Sequence, residues 1–383
     1  MYRLNEEQQR VVAEAAAVAD ATIGPQAAQV DSAAAFPRQS IAALGEHGLL
    51  GLTIPSTAGG RGHGLRTMAA TVDTVAQRCA STAMVYVMHL CGVACYMAAP
   101  VRPDHLLREV AAGRHLSTLA FSEKGSRSHF WAPVSREKDA FAGAVRVSAS
   151  KSFVTSAGQA DGYVVSTLAA GATTPTESTI YLVLKGDAGV SVAGAWRGLG
   201  MRGNASAPMS LEVELGTDRA LTAPGKGLDM MLGVVLPLFQ VGSAAVAVGI
   251  AEAAVQATIG HVTTSRLEHM NSSLADLPTL RAQIARMRIE TDRARAHLGA
   301  VLDSLETPGP ATQLMVLEAK AAATEAAVTV TDLAMRTCGG AAFGGAHGIE
   351  RMFRDARGPI VMAPTSDQAY DFIGRALCGL EVF

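Results

Sequence analysis

Residues 336–367, RTCGGAAFGGAHGIERMFRDARGPIVMAPTSD, end a long Ala-rich helical pattern and introduce a series of turns. Gly339 and Gly340 interrupt the helix, because two adjacent glycines destabilise it and permit a positive φ. A pair without side chains also lets a ligand approach the backbone closely. The stretch therefore predicts that a long helix breaks where a ligand can come near the main chain.

The second half of this stretch predicts short elements separated by prolines. Residues 349–357 form a short amphipathic helix with arginines three residues apart. Pro359 and Pro364 forbid a continuous helix, so we expect a loop over Gly358–Thr365. A last helix is expected over Asp367–Leu380, because hydroxyl and carboxylate side chains at its start can cap free N–H groups.

The composition is unusually apolar. Of 383 residues, 49% are hydrophobic and 17% are charged, and the net charge is −2. A chain of this length forms two or three domains, and a subunit this apolar is expected to bury surface against copies of itself as a homo-oligomer. No basic block is present, so no nucleic-acid partner is expected. Leu228–Gly249 comes closest to a membrane span, but its polar residues and proline predict a buried helix and no membrane partner.

The cysteines and the first residues predict a cytoplasmic protein. The five cysteines are odd in number and form no CxxC pair, which is typical of small core residues in a reducing compartment. The segment MYRLNEEQQR lacks the basic and apolar regions of a signal peptide. The sequence has no HExxH motif or paired ligand spacing, so no metal site is expected.

Helical, then strand, then helical patterns follow one another along the chain. Residues 1–117 are mainly helical, residues 118–225 hold short β-branched segments separated by turn residues, and residues 226–383 return to long helices. We therefore expect an α+β protein with an N-terminal helical domain, a middle β-domain and a C-terminal helical domain.

The stretch that breaks the long helix resembles the C-terminal part of acyl-CoA dehydrogenases. The family markers are a GG pair, an RD pair and a Thr-Ser pair, which here are Gly339-Gly340, Arg354-Asp355 and Thr365-Ser366. The order of the three domains matches that family over the whole chain. The resemblance implies the acyl-CoA dehydrogenase fold, with a barrel-like β-domain and a four-helix bundle. It also implies a tetrameric flavoprotein of fatty acid metabolism that binds FAD and an acyl-CoA and passes electrons to an acceptor, which in some members is a protein.

Residues 119–129, LAFSEKGSRSH, resemble the first flavin-binding motif of the family. The resemblance implies that Phe121 and Ser122 contact the flavin ring. It further implies that Ser128 lies along the acyl-CoA channel. Taken alone, the segment is better described as a polar turn after a strand.

Residues 151–157, KSFVTSA, resemble the second flavin-binding motif. The resemblance implies that Phe153 packs on the isoalloxazine and that the Thr155 hydroxyl hydrogen-bonds its N5 edge. A flavin ring needs one apolar face and a few placed donors, and this segment supplies both. An ordinary edge strand is the alternative, but the segment follows the first motif within the same β-domain.

The segment Gly198–Gly203, GLGMRG, satisfies the pattern GxGxxG. A dinucleotide-binding turn needs a strand before it and a helix that starts within it. A strand pattern, Met209–Leu215, follows instead. We therefore expect a turn of the β-domain and no dinucleotide site here.

Two arginines are expected at the phosphate end of FAD. Arg266 corresponds to a family arginine that reaches the FAD pyrophosphate of a neighbouring subunit, and His269 replaces a family aromatic residue. The guanidinium group suits a diphosphate because it binds two oxygens at once, although an arginine at a helix end is often only solvated. Arg336, in place of a family Gln, precedes Gly339 and Gly340, whose backbone approaches the adenosine in the family.

The loop before the last helix departs from the family at the catalytic base. Where the family often has its glutamate, this chain has Ala363, while Thr365 and Asp367 keep positions near FAD. A second base position in the family corresponds to Phe239, beside Gln240. Neither position carries a carboxylate, so the catalytic residue is unknown.

The predicted substrate contacts are Ser128, Gln240 and His89. The helix that holds His89 lines the acyl pocket in the family. A buried histidine held by a hydrogen bond is nevertheless a more common arrangement than a functional one.

Three functions remain open from the sequence. The first is α,β-dehydrogenation of an acyl-CoA by a relocated base. The second is flavin-dependent monooxygenation on the same fold, which needs no α-proton acceptor. The third is an FAD-binding or acyl-CoA-binding homologue without catalysis.

Overall fold

The structure is a computed structural model that describes residues 2–127, 129–139 and 143–382. Its first part is helical, and the apolar faces of these helices form a common core. The helices are α1 Glu6–Val18, α2 Gly24–Ser32, α3 Arg38–Glu46, α4 Leu65–Ala76, α5 Ala80–Ala98 and α6 Asp104–Ala111. A π-helical turn, Ala19–Ile23, joins α1 to α2.

The middle part contains two sheets. The strands are β1 Ser117–Ala120, β2 Glu137–Asp139, β3 Val145–Val154, β4 Gly162–Leu168, β5 Ser178–Leu184, β6 Val190–Val192 and β7 Ala207–Leu215. One sheet has the order β1-β4-β5, with β1 parallel to β4, and the other has the antiparallel order β2-β3-β7-β6. Single bridges between Glu123 and Lys151 and between Arg136 and Leu168 join the two sheets.

The last part is a bundle of long helices. The helices are α7 Gly227–Met230, α8 Leu236–Thr264, α9 Pro278–Glu306, α10 Thr312–Phe343, α11 Ile349–Asp355, α12 Gly358–Val361 and α13 Ser366–Leu377. A π-helical turn, Met231–Val235, joins α7 to α8, and a small hairpin of β8 Arg266–Leu267 and β9 Ser272–Ser273 follows α8. Helices α8, α9 and α10 pack on one another, and α13 packs on α10.

Two helical segments are long and apolar enough to cross a membrane, namely α5 and the segment Gly227–Thr264. In their most apolar windows, 89% and 83% of the residues are buried inside the protein. Helix α8 packs against α4, α5, α9 and α10. These segments therefore form the centre of the helical core, as the pattern over residues 228–249 predicts.

The breaks near the C-terminus agree with the sequence in part. Gly339 has φ 54 and ψ −132 inside α10, so helical geometry breaks where the glycine pair predicts. The predicted loop over Gly358–Thr365 was wrong in its first half. There, Gly358–Val361 forms a helical turn, because Pro359 lies in the first turn, where its missing N–H is tolerated. Helix α13 begins directly after Thr365, which caps it, and ends before the predicted residue 380.

The RD pair fastens the three parts of the chain together. Arg354 binds both carboxylate oxygens of Asp31 in α2, at 2.9 and 2.5 Å, and Asp355 accepts a hydrogen bond from Met201 N at 2.5 Å. A Cβ at Gly200 would lie 2.3 Å from Arg354 O, so only glycine fits there. The GxGxxG segment is thus a turn that packs on α11 and is followed by β7, as predicted.

Candidate functional site

The two motifs predicted to contact a flavin lie side by side at the ends of β1 and β3. Ser152 N donates to Ser122 O at 2.8 Å, and Thr118 Oγ1 donates to Thr155 O at 2.8 Å. Phe121 lies directly after β1 and is buried. Backbone and hydroxyl hydrogen bonds therefore join the two motifs into one surface.

A buried ion pair fixes this junction. Lys151 is fully buried, and its Nζ donates to Glu123 Oε1 and to Ser166 O, both at 2.5 Å. The other oxygen of Glu123 accepts from Val134 N and Ser135 N at 2.7 and 2.9 Å. Burial opposes the charge of Glu123, but Lys151 and the hydrogen bonds outweigh it and lower the pKa of the carboxyl group. The carboxyl group of Glu123 is therefore charged at neutral pH, while burial lowers the pKa of Lys151 and the charge of Glu123 opposes that shift.

An exposed aromatic ring and a buried hydroxyl lie next to each other at the end of β3. Phe153 has φ 54, is 68% exposed, and meets the edge of Trp196 at a centroid distance of 6.4 Å. Two residues on, Thr155 is buried, with its Oγ1 2.9 Å from Ser206 Oγ. This surface offers a flat apolar contact and a hydroxyl, the two features that a flavin ring requires.

A cluster of aromatic side chains connects the first motif to α13. Phe121 stacks on Phe130 at 6.5 Å, Phe130 meets Trp131 edge-on at 5.2 Å, and Trp131 lies 5.6 Å from Phe372. All four rings are buried. The sequence analysis missed this cluster, because three of its rings lie outside regular periodic patterns. It brings the β-domain close to the helix that follows Ala363.

Gln240 is a buried polar side chain directly after Phe239, the second base position. Gln240 and Phe239 lie in the first turns of α8, and both are buried. Among the described residues, neither amide atom of Gln240 has a hydrogen-bond partner. Such groups are normally paired, so this amide is available to a buried polar group of a ligand.

Glu252, farther along α8, is committed to other partners. Arg288 binds both of its carboxylate oxygens at 3.0 and 2.7 Å, and Arg295 donates to one of them at 3.0 Å. Burial opposes its charge, but these arginines and Gln256 lower the pKa of Glu252 to about 2. Glu252 is therefore a structural carboxylate rather than a base for the site.

His89 has a structural environment that does not support the predicted substrate contact. It is fully buried in α5, with its Nε2 3.0 Å from Leu50 O and its Nδ1 accepting from Ser117 N at 3.0 Å. Burial lowers the pKa of His89 to about 4, so the ring is neutral. Both ring nitrogens are used within the protein. The neutral ring joins α5 to β1 and to the loop before α4.

The loop that holds Ala363 is attached to α10 by a buried lysine. Lys320 is fully buried, and its Nζ donates to Met362 O at 2.9 Å and to Pro364 O at 2.6 Å. Ala363 itself is half-buried. The sequence analysis missed Lys320, because a lysine within an Ala-rich helix usually lies on a solvated face.

Lys320 should make stability depend on pH. Burial is the one cause that lowers its pKa to about 7, and no charged side chain contributes. The unfolded chain therefore binds more protons between about pH 7 and 10, so stability rises with pH by up to about 1.4 kcal/mol per unit. Lys320→Met should remove this slope in urea unfolding at pH 7, 8 and 9, whereas Lys185→Met at an exposed lysine should not. Equal slopes for wild type and Lys320→Met would contradict this interpretation.

The residues predicted to contact the phosphates and adenosine lie near the C-terminal ends of α8 and α10, at the end of the bundle away from Lys320. Arg266 and His269 lie in the hairpin after α8, and both are exposed. Arg336 and the glycine pair lie at the end of α10 and are also exposed. His261 near the end of α8 lies 3.2 Å from His347, in the turn after α10. This contact holds the two helix ends together.

Two groups of predicted FAD contacts lie far apart along α10. Lys320 and Gly339 are nineteen positions apart on α10, roughly 28 Å at 1.5 Å per residue. Thr365 and Asp367 lie at the Lys320 end, where Thr365 accepts from Gln368 N at 3.3 Å as the cap of α13. The predicted contacts at Thr365 and Asp367 and those at Gly339 and Gly340 therefore lie near opposite ends of α10.

Two further predictions concern Ser128 and metal binding. Ser128 lies outside the described residues. Within the described ranges, no group of three or more His, Cys, Asp or Glu side chains could hold a metal ion.

The fold and this surface define a flavoprotein of the helical–β–helical type. The chain belongs to the acyl-CoA dehydrogenase family, whose N-terminal, middle and C-terminal domains match residues 5–102, 118–213 and 225–378. Membership of this family supports FAD as the cofactor.

Related proteins match this chain over nearly its whole length. A cyclohex-1-ene-1-carbonyl-CoA dehydrogenase of Geobacter metallireducens is 27% identical over 384 residues, with 98% of this chain and 99% of that protein covered. Butyryl-CoA dehydrogenase from Megasphaera elsdenii has the same fold, with a TM-score of 0.91, 20% identity, and coverage of 98% and 99%. FMN-bound TdsC from Paenibacillus sp. A11-2 also shares it, with a TM-score of 0.87, 20% identity, and 97% of each chain covered.

Proposed function

We propose that the protein is an FAD-dependent oxidoreductase that acts on the CH–CH group of an acyl-CoA thioester, with a proton acceptor other than the usual glutamate. The observation that carries the proposal is the surface of Phe153 and Thr155, held in place by the ion pair of Glu123 and Lys151. It offers the apolar face and the hydroxyl that an isoalloxazine ring needs. Whole-length similarity to an acyl-CoA dehydrogenase supports the substrate class.

The residues at the far end of the bundle also fit FAD. A Cβ built at Gly339 or Gly340 would meet no atom within 4 Å, so a ligand has room against this backbone. Exposed Arg266 and Arg336 can bind phosphate oxygens in pairs. When bound, the flavin accepts a hydride from the substrate.

Gln240 and Ala363 would contact and orient the acyl group, and the α-proton would pass to a proton acceptor at another position. The buried amide of Gln240 can donate to and accept from a polar group of the thioester. The methyl group of Ala363 has no lone pair to take a proton. The buried rings of Phe121 and Phe130 exclude water from the reacting end.

Purified protein should show flavin absorption bands, and Phe153→Ala should weaken FAD binding. An aromatic contact contributes about 0.5–1.5 kcal/mol beyond the buried area, so Kd should rise by about 2–10-fold or more. Fluorescence titration of apoprotein with FAD measures this change. Val101→Ala, at an equally exposed apolar side chain, serves as the control. Absence of flavin bands after incubation with excess FAD would count against the proposal.

We further propose a homo-oligomer, in the form of a tetramer, in which each FAD contacts two subunits. Phe153→Ala and Arg266→Ala subunits should each bind FAD weakly when expressed alone. Co-expressed, they should regain part of the occupancy, because some sites in mixed oligomers then combine an intact ring surface with an intact arginine. Light scattering on the same samples should show oligomers, and a stable monomer with bound FAD would rule out the shared site.

A second candidate is flavin-dependent monooxygenation on the same fold. Ala363 and Phe239 favour it, because neither of these two base positions carries a carboxylate. Consumption of a substrate with reduced flavin and oxygen, without reduction of flavin by any acyl-CoA, would select this function. A homologue that binds FAD or acyl-CoA without turnover is the third candidate, and it would show neither activity.

The partners and compartment follow from the same proposal. Electrons from reduced flavin must leave to an acceptor, and a second protein can serve in this role. All five cysteines are free and four of them are buried. This arrangement agrees with the reducing cytoplasm that we propose as the location.

A further inference from the structure

Lys320 lies buried in α10 without a carboxylate partner. Its side chain is fully buried, and none of the salt bridges within the described residues involves it. A lone ammonium group in an apolar environment is unfavourable, because it loses its hydration without gaining an opposite charge. Its energetic compensation comes from the two backbone carbonyls to which it donates.

These carbonyls flank one residue on both sides. The Nζ of Lys320 donates to Met362 O at 2.9 Å and to Pro364 O at 2.6 Å, so the bonds bracket Ala363. Below about pH 7, where Lys320 is charged, these hydrogen bonds are stronger than those between neutral groups. The lysine therefore restrains this backbone from its buried side.

A second contact repeats the attachment one helical turn farther along α10. The Oγ1 of Thr324 lies 3.2 Å from Ser366 Oγ, and both residues are buried. Thr365, between the two attachments, caps α13. Its Oγ1 accepts from Gln368 N at 3.3 Å and its carbonyl accepts from Ala369 N at 2.8 Å. The loop and the first turn of α13 thus form one unit anchored to α10.

We propose that Lys320 is a positioning residue of the reacting end: it holds residue 363 in place, at the position from which the family's glutamate works. This role rests on the proposed function and extends it to a group outside the flavin surface. The role is specific to Lys320, because no other described side chain donates hydrogen bonds to the carbonyls of both Met362 and Pro364.

This role predicts that stability and positioning respond differently to substitution. Lys320→Met fills the same volume without a charge, and replacing a lone buried charge with an apolar group is often neutral or stabilising. The same change leaves the carbonyls of Met362 and Pro364 without these donors. If Lys320 only filled space in the core, a substitution that kept the stability would also leave the loop in place.

Hydrogen–deuterium exchange of the FAD-loaded protein tests the proposal without turnover. In Lys320→Met, the amides of Gln368 and Ala369 should exchange about 10-fold faster, the factor for losing one charge-assisted hydrogen bond. Their protection depends on Thr365, which moves with the loop. Thr291→Val is the matched control, because its buried hydroxyl bonds only within α9. If Lys320→Met gives no soluble protein, Lys320→Leu replaces it, since it too removes the donor without introducing a charge.

Flavin reduction by acyl-CoA supplies the second readout. In the Ala363→Glu background, where residue 363 carries a carboxylate, Lys320→Met should lower the rate constant for reduction at saturating substrate while leaving the KM close to that of the Ala363→Glu protein. Unchanged exchange in the Lys320 variant would overturn the positioning role, even if the protein dehydrogenates acyl-CoA. Another outcome is faster exchange in Lys320→Met while no acyl-CoA tested reduces the flavin of the wild type. That result would retain the positioning role and reject the proposed function.

Discussion

Ala363→Glu should raise the rate at which a saturated acyl-CoA reduces the bound flavin by about 10²–10⁴-fold. A positioned carboxylate would accept the α-proton, which the methyl group of Ala363 cannot, and this lowers the barrier by roughly 3–5 kcal/mol. The contacts of Lys320 with Met362 O and Pro364 O hold the introduced side chain on the same backbone. Wild type should therefore reduce its flavin slowly or undetectably with simple saturated acyl-CoAs.

Anaerobic stopped-flow bleaching with short to long acyl-CoAs measures both rates. Ala363→Gln is the control, because it has the size and polarity of the glutamate but accepts no proton at neutral pH. Fast bleaching by wild type would show that another base exists in this site. If neither wild type nor Ala363→Glu bleaches, but reduced flavin and oxygen consume a substrate, monooxygenation becomes the better assignment.

Local patterns predicted the parts of this fold that depend on local chemistry. The glycine pair breaks α10 because only glycine readily combines the φ of 54 with the ψ of −132 found at Gly339. Strand β3, which ends at Val154, was recognised because its alternation and its motif coincide. Pro359 was misjudged because the same residue that ends a helix is also favoured in the first turn of one.

Contacts between distant parts of the chain were not predictable from such patterns. Arg354 and Asp31 are 323 positions apart, and nothing in either local sequence indicates the other. Lys320 is one lysine in an Ala-rich helix, and its burial depends on how the loop after α12 packs. Trp131 meets Phe372 only because the β-domain lies against α13. The predicted flavin surface thus came from motifs, whereas its supports emerged only from tertiary packing.

Lys151→Met should lower the free energy of unfolding by about 3–5 kcal/mol, because it leaves the carboxylate of Glu123 buried without its counter-charge. Lys151 is fully buried between Glu123 and Ser166, so water does not replace it. The same pair aligns Ser122 with the strand of Phe153, and FAD binding should weaken in parallel. Urea unfolding and FAD titration of the same preparation measure both effects.

The double variant Lys151→Met/Glu123→Gln isolates the charge. With both charges removed, the loss of unfolding free energy should be well below the sum of the losses in the two single variants. The amide of the introduced glutamine still has an oxygen that accepts from Val134 N or Ser135 N. Lowering the pH should also reduce the loss of unfolding free energy caused by Lys151→Met. Without the lysine, burial raises the pKa of Glu123, so its carboxyl is neutralised in the folded state as pH falls. In wild type, the pKa of Glu123 is lowered, so the stability that its charged form contributes is lost as the pH falls. A loss below about 1 kcal/mol in Lys151→Met at neutral pH, with no recovery in acid, would show that the pair does not hold the flavin surface together.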